Sequence, residues 1–234
     1  MPDDKSWLIE KICLDIDKLV SKRSSEEDLK EFINGVNTEK LLNSCLATAK
    51  SKITHLNDVC KSSYDHPNGF VKLTLVDRIP AWALRLHIWR KPVNEIENDL
   101  HDHCGYLVSK IVKGELINDV YERCDETRGS TYFSYADVLD ESQHKLAYLG
   151  MSNLILQRRE IFRSPISYFL GGDVIHRTAP FAGFPVISLV LQGPKYKTTS
   201  LIYRLSERKI AEVVSTTCSS TFYFDSLEEA SRHG

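Results

Sequence analysis

The sequence predicts a mainly β fold, an antiparallel sandwich or barrel that carries a helical subdomain at its N-terminus. Residues 6 to about 60 repeat apolar side chains at three- and four-residue intervals, which is typical of helices. From about residue 65, short apolar or alternating segments follow one another, separated by Gly, Pro, Asn or Asp, as in sheets of short strands. The chain has 234 residues and is 42% hydrophobic, which suffices for one sizeable core.

The N-terminal segment predicts three helices. The first carries an apolar stripe that includes Leu8, Ile12 and Ile16. The serines at 24 and 25, followed by two glutamates, are typical of the start of a second helix, and Asn34-Gly35 ends it. A third helix is expected from Thr38 to about Val59.

The remainder of the chain predicts a single β-domain. We expect strands at 70–76, 82–90, 99–103, 106–112, 115–122, 144–150, 153–160, 166–170, 174–177, 186–192, 199–205 and 210–215. The predicted organisation is a helical subdomain over residues 1–64 that packs on a barrel over 65–225. A polar C-terminal tail is expected over 226–234.

Charge and composition exclude several classes of protein. Thirty basic and thirty-two acidic residues give a formal net charge of −2, so we expect no nucleic-acid partner. No apolar run approaches the roughly 20 residues of a membrane span, and the first residues lack the pattern of a secretory signal. Six cysteines without CxxC pairs predict reduced thiols, and we expect a cytoplasmic protein without a membrane partner.

The segment His101-Asp102-His103 is the most informative motif. Side chains at i and i+2 of a strand point to the same face, so both rings would project together into a barrel. A third histidine, His176, follows the turn-like Gly171-Gly172-Asp173 on another short strand. Two histidines on one strand and one on a distant strand predict a shared metal ion.

The other histidines have weaker patterns. A structural or solvent-exposed position is expected for those without a partner at ligand spacing, namely His55, His66, His144 and His233. His87 alternates with Arg85 and Trp89 on a predicted strand, which indicates a core position or one beside the site.

The chain resembles the cupin superfamily, and within it the thiol dioxygenases of the cysteine dioxygenase type. The resemblance is carried by His101-Asp102-His103 through Gly114-Glu115-Leu116, and by Gly172-Asp173-Val174-Ile175-His176-Arg177. It implies a double-stranded β-helix, or jelly-roll, barrel. Gly114 would close the hairpin of the first motif.

The resemblance also implies a non-haem Fe(II) oxygenase or dioxygenase, with His101, His103 and His176 as metal ligands and catalytic residues. Many cupins have a carboxylate ligand where this chain has Leu107, which leaves three neutral imidazoles. Such a set suits Fe(II), with another divalent metal left open, and keeps positions free for a substrate and dioxygen. The implied substrate is a small amino-acid-like or thiol-containing molecule.

Candidate substrate-binding residues lie on the predicted strands. By resemblance, Lys72 stands near the place of the arginine that binds the substrate carboxylate. Arg85 and His87 share one face of a strand; Arg85 either points into the barrel, where it needs an anion, or lies on the solvent face. Tyr106 and Gln192 are pocket candidates by position.

Two other functions stay open at this point. One is a non-redox metal-binding cupin that binds or senses a small molecule. The other is a metal-independent isomerase or epimerase in which His101 acts as a general base. Because cupins often pair edge strands, a homodimer is also open.

Overall fold

A computed structural model of the protein describes residues 6–93, 98–125, 128–140, 143–207 and 218–233. The helices are α1 (Ser6–Ser21), α2 (Glu26–Gly35), α3 (Thr38–Ser51), α4 (Ile53–Lys61) and α5 (Ser220–Ser231). Among these residues, no helix combines the length and the apolar character that a membrane crossing requires.

The N-terminal helices form where the sequence predicts them, with one difference. The Ser25 hydroxyl accepts a hydrogen bond from the Asp28 amide, and the Asp28 carboxylate accepts one from the Ser25 amide, so a capping box starts α2. The expected third helix is two helices, because Lys52 is extended between α3 and α4. No Gly or Pro marks this break, so the sequence carried no signal for it.

The strands form one antiparallel, ten-stranded sheet. They are β1 (Tyr64–His66), β2 (Phe70–Arg78), β3 (Trp82–Trp89), β4 (Leu100–His101), β5 (Leu107–Arg123), β6 (Ser130–Asp140), β7 (Gln143–Arg163), β8 (Ser167–Leu170), β9 (Ile175–Gln192) and β10 (Thr199–Arg204). The strand order is β1-β2-β3-β9-β4-β10-β6-β7-β5-β8, and β5 also pairs with β9. This last pairing returns the sheet to β9 and closes it as a barrel.

Three strands are longer than expected, because glycines that predict turns lie inside them. Gly114, Gly150 and Gly183 have positive φ angles of 79°, 108° and 79° within β5, β7 and β9. The ladder of β5 with β9 shifts register around Gly114, so this residue forms a bulge and does not close a hairpin. The expectation of a turn at Gly114 is therefore wrong.

Side chains along β2 and β3 point alternately toward the helices and into the barrel. Leu73 and Leu75 of β2, and Leu84 and Leu86 of β3, are fully buried in a core cluster that also includes residues of α1 to α5. The helices therefore cover the outer face of these strands. The intervening side chains point into the barrel, as the two-residue period of a strand requires.

The C-terminal segment differs from the expected polar tail. Residues 226–231 lie in α5, where Tyr223, Leu227 and Ala230 are fully buried against the other helices. β1 and β6 were not expected, and the predicted strand at 210–215 lies outside the described residues. The domain boundary at residue 64 stays a prediction.

Candidate metal centre and cavity

The three predicted histidines converge inside the barrel. His101 of β4 lies opposite His176 of β9 in the ladder that joins these strands. The His103 amide donates to the Gly172 carbonyl at 2.8 Å, which holds the end of the first motif against the turn before His176. As a result, one ligand atom from each ring lies within 4.8 Å of those from the other two.

Backbone carbonyls orient two of the rings. The Nδ1 atom of His101 lies 3.0 Å from the Asp99 carbonyl, and that of His176 lies 3.1 Å from the Val174 carbonyl. Because a carbonyl oxygen only accepts, each Nδ1 carries the proton and donates. The Nε2 lone pairs of both rings are therefore free for a ligand.

Two ring nitrogens face each other in this cluster. The Nε2 atoms of His103 and His176 are 3.3 Å apart. Since His176 Nε2 carries no proton, the contact is favourable only with a proton on His103 Nε2 or a cation between the rings. Two nitrogens that each lie about 2.1 Å from one ion are roughly 3.0–3.4 Å apart at ordinary ligand angles. The geometry of this pair fits a shared metal ion.

Burial keeps the imidazoles neutral. Burial lowers the pKa of His101, and it lowers the pKa of His176 to about 3. Burial, followed by the charges of His101 and His176, holds the pKa of His103 well below its usual range. Near pH 7 all three rings therefore offer lone pairs and not positive charge.

Among the described residues, no carboxylate joins the three histidines. The Asp99 carboxylate accepts from Arg204 at 2.8 Å, and the Asp102 carboxylate accepts from Lys197 at the same distance. Leu107, which was expected to stand where a carboxylate ligand is missing, lines the cavity with an apolar side chain. The donor set is three neutral nitrogens.

The cluster opens into a cavity of about 250 Å³ inside the barrel. Drug-sized ligands occupy pockets of roughly 300–1,000 Å³, so this cavity suits a smaller molecule. Of the residues predicted for the site, the cavity is lined by Lys72, Arg85, His87, His101, His103, His176 and Gln192.

Two cations of this cavity have no carboxylate partner among the described residues. Arg85 points inward, and its buried Nε atom has no hydrogen-bond partner there. Lys72 donates to the Tyr64 hydroxyl at 3.1 Å and lies over the Tyr64 ring. Burial, followed by the charge of Arg85, lowers the pKa of Lys72 well below its usual range. Arg85 therefore takes the inward position of the two that the sequence left open.

An aromatic wall forms one side of the cavity, and the sequence did not predict its members from β1 and the start of β2. It consists of His66, Phe70, His87 and Trp89; the His66 and Phe70 rings stack at 4.3 Å, and the Phe70 and His87 rings lie 4.3 Å apart. His66 has a place in the cavity because β1 pairs it with Phe70. The sequence did not predict this three-residue strand, so a structural or solvent-exposed position was expected for His66.

Tyr106 does not reach the cavity. Its ring stacks on Phe169 at 5.4 Å and packs against the backbone of Gly193. Leu107 lines the cavity in its place, because adjacent strand residues point to opposite faces. The expected contribution of Tyr106 to substrate binding is therefore not supported by its position.

No protein-family model and no curated protein sequence matches the chain. Among solved structures, the chain is similar to an RmlC-like cupin from Shewanella frigidimarina NCIMB 400, at 14% identity and a TM-score of 0.34 over 58% of this chain and 85% of that one. It is similar to Fe(II)-HppE with the alternative substrate (S)-1-HPP, at 13% identity and a TM-score of 0.31 over 53% of this chain and 49%, about half, of that one.

A third similar structure is hydroquinone 1,2-dioxygenase from Sphingomonas sp. TTNP3 with 4-hydroxybenzoate bound. It shares 7% identity at a TM-score of 0.34, over 57% of this chain and 69% of that one. Because these TM-scores lie below 0.5, the geometry of the site carries the functional proposal.

Proposed function

We propose that the protein is a non-haem Fe(II)-dependent oxygenase of the three-histidine cupin type that acts on a small anionic molecule. The observation that carries the proposal is the convergence of His101, His103 and His176, with ligand atoms within 4.8 Å of one another, on the wall of an internal cavity. Bound there, Fe(II) would supply the redox chemistry with dioxygen that no side chain of the cavity can supply.

The donor set supports a divalent metal. Imidazole suits iron, zinc, copper and nickel, and three such ligands leave coordination positions for other molecules. Since the three rings are neutral, the bound ion keeps its full positive charge unless the substrate supplies an anion. A carboxylate or thiolate on the substrate would meet this need.

The two cations that have no carboxylate partner among the described residues support an anionic substrate. An unpaired charge inside a protein is costly, and Arg85 and Lys72 both line the same cavity as the histidines. A substrate anion would provide their counter-charge. His87 and Gln192, which also line the cavity, would contact the remainder of the molecule. An amino-acid-like molecule or a small thiol carboxylate fits this distribution of groups.

The experiment that tests the proposal combines metal content with oxygen uptake. The protein is stripped of metal, loaded anaerobically with Fe(II), and mixed with dioxygen and a panel of small thiols, amino acids and their uncharged amides. We expect the protein to bind iron stoichiometrically. Oxygen uptake should occur with at least one anionic compound and should be absent with the amide of that compound. We expect Arg85→Met to reduce this oxygen uptake, and Arg128→Met, which removes an exposed positive charge, is its control.

Other outcomes favour the alternatives. Stoichiometric metal without oxygen uptake, for any compound that binds, would favour a non-redox binding or sensing module. Turnover that persists in chelator without metal would favour an isomerase with His101 as base. An absence of metal binding under all loading conditions would overturn the proposed iron centre.

A further inference from the structure

Lys197 joins the two segments that carry the histidines. Its ammonium donates to the Asp102 carboxylate at 2.8 Å and to the Asp173 carboxylate at 2.9 Å. Asp102 lies between His101 and His103, and Asp173 lies three residues before His176. One side chain therefore bridges segments that are far apart in the sequence.

The contact with Asp102 is the more buried of the two. The Asp102 side chain is 5% exposed, whereas that of Asp173 is 76% exposed. The second oxygen of Asp102 accepts from the Leu201 amide at 2.7 Å, so this carboxylate is held on both sides. An exposed ion pair contributes little stability, but a buried carboxylate that loses its cation must find water or move.

The backbone also joins these segments directly, since the His103 amide donates to the Gly172 carbonyl at 2.8 Å, and Tyr196 adds contacts beside those of Lys197. The Tyr196 amide donates to the Cys104 carbonyl, and the Tyr196 hydroxyl donates to Asp173 at 3.3 Å. Residues 196 and 197 thus contact the chain just after His103 and just before His176. A displacement of Asp102 would carry both of its neighbouring histidines with it.

We propose that Lys197 is a positioning residue that holds the two histidine-bearing segments in register for metal binding. This inference rests on the proposed function, because it takes the three histidines to be metal ligands. Its effect is exerted through Asp102 and Asp173, and Lys197 itself does not contact the ion. Outer partners of metal ligands typically change metal affinity by about 10–100-fold when removed.

The test measures Co(II) affinity and the visible absorption of bound Co(II) in metal-stripped protein. We expect Lys197→Met to weaken Co(II) binding about tenfold and to alter the absorption band, and Lys197→Arg to restore much of the loss. Lys195→Met is the matched control, since it removes the same charge from an exposed position two residues away. The Lys195→Met variant should leave the Co(II) affinity and the absorption band unchanged.

Asp173→Asn provides a second variant if Lys197→Met does not fold. We expect it to weaken Co(II) binding by only about two- to threefold, because the ion pair of Asp173 with Lys197 is exposed. Wild-type binding of Co(II) with unchanged affinity and spectrum in Lys197→Met would overturn the positioning role and leave the metal centre intact. Wild-type protein that binds no metal would overturn the proposed function, and the positioning role with it.

Discussion

Lys72 and Arg85 are diagonal neighbours on the inner face of the β2–β3 ladder. Lys72 pairs with His87 and Thr74 pairs with Arg85, so the two cations stand one pair apart on the same side of the sheet. Like charges at this separation repel, and the described residues place no carboxylate within ion-pair distance of either. A bound anion would favour a positive charge on both side chains, because it would supply the counter-charge that burial and their mutual repulsion make necessary.

Arg85→Met should therefore stabilise the metal-free protein while it weakens binding of anions. Replacement of a buried charge by an apolar side chain of similar length removes its desolvation cost, and we expect the free energy of unfolding to rise by about 1 kcal/mol. Urea unfolding of metal-stripped protein measures this change. Arg128→Met should have no effect, and a loss of stability in Arg85→Met would instead assign Arg85 to the structure alone.

His176→Ala should abolish metal retention. His176 is 2% exposed, and its Nε2 lone pair faces His103. We expect affinity for Co(II) to fall by more than the roughly 100-fold that the loss of an outer partner can cause. Competition with a chromophoric chelator measures the affinity. His233→Ala, which removes an exposed imidazole, is the comparison, and equal affinities in the two variants would exclude His176 as a ligand.

Gly172→Ala should separate the two histidine-bearing segments. A Cβ atom at this position would lie 2.9 Å from the backbone oxygens of Gly105 and His103, which have little freedom to move. We expect the free energy of unfolding to fall by about 1–3 kcal/mol and the Co(II) affinity to fall with it. Chemical denaturation and Co(II) titration give the two values.

Gly35→Ala is the control for this substitution, because a Cβ atom there meets nothing within 4 Å. It should leave the stability unchanged or raise it by less than about 1 kcal/mol. Normal Co(II) binding in Gly172→Ala would show that the two segments do not need this close approach.

Asp119→Asn should destabilise the protein in a manner that depends on pH. Asp119 is 2% exposed, and its carboxylate accepts from Arg159 at 2.6 and 2.7 Å and from Arg177 at 3.0 Å. Its burial opposes ionisation, but the hydrogen bonds and charges of the two arginines outweigh it and lower the pKa below 3.8. We expect a loss of about 3 kcal/mol at pH 7, because the buried Arg177 loses a charged hydrogen-bond partner.

The sign of the pH dependence follows from the lowered pKa. The ion pair contributes its full stability above the unfolded-state pKa of Asp119, and this contribution disappears as pH falls through the lower folded-state value. The difference between wild type and Asp119→Asn should thus be constant above about pH 5 and shrink below 3.8. Guanidinium unfolding at a series of pH values measures this difference in the free energy of unfolding. Asp125→Asn, which changes an exposed carboxylate, is the control. A difference that stays constant down to pH 2 would contradict the assigned pair.

The sequence could predict those parts of the candidate site whose geometry depends on the spacing of residues within one strand. The i, i+2 spacing of His101 and His103 sufficed to direct both rings inward, and the structure brings His176 to them through the β4–β9 pair. Arg177, the residue after His176, pairs with Asp119 and takes no part in the histidine cluster. The inward direction of Arg85 could not be decided from β3 alone, because it depends on which face the helices cover.

The predicted strand boundaries were wrong for a related reason, because they depend on contacts with other strands. A glycine within apolar residues marks a turn or a bulge with equal strength, and only the partner strand decides between them. Gly183 lies inside β9, and a Cβ atom there would be 3.0 Å from the Cα atom of Gly114 on β5. By contrast, α5 had a readable signal, since Ser219 caps it and Tyr223, Leu227 and Ala230 share one helical face.

The position of α5 has a consequence for synthesis of the chain. Its Tyr223 hydroxyl donates to the Thr74 carbonyl of β2 at 3.0 Å, and the helix covers α3 and α4. These elements leave the ribosome long before residues 220–231 do. Until then their apolar face stays open to water and to other nascent chains, so this face is prone to aggregation until α5 docks.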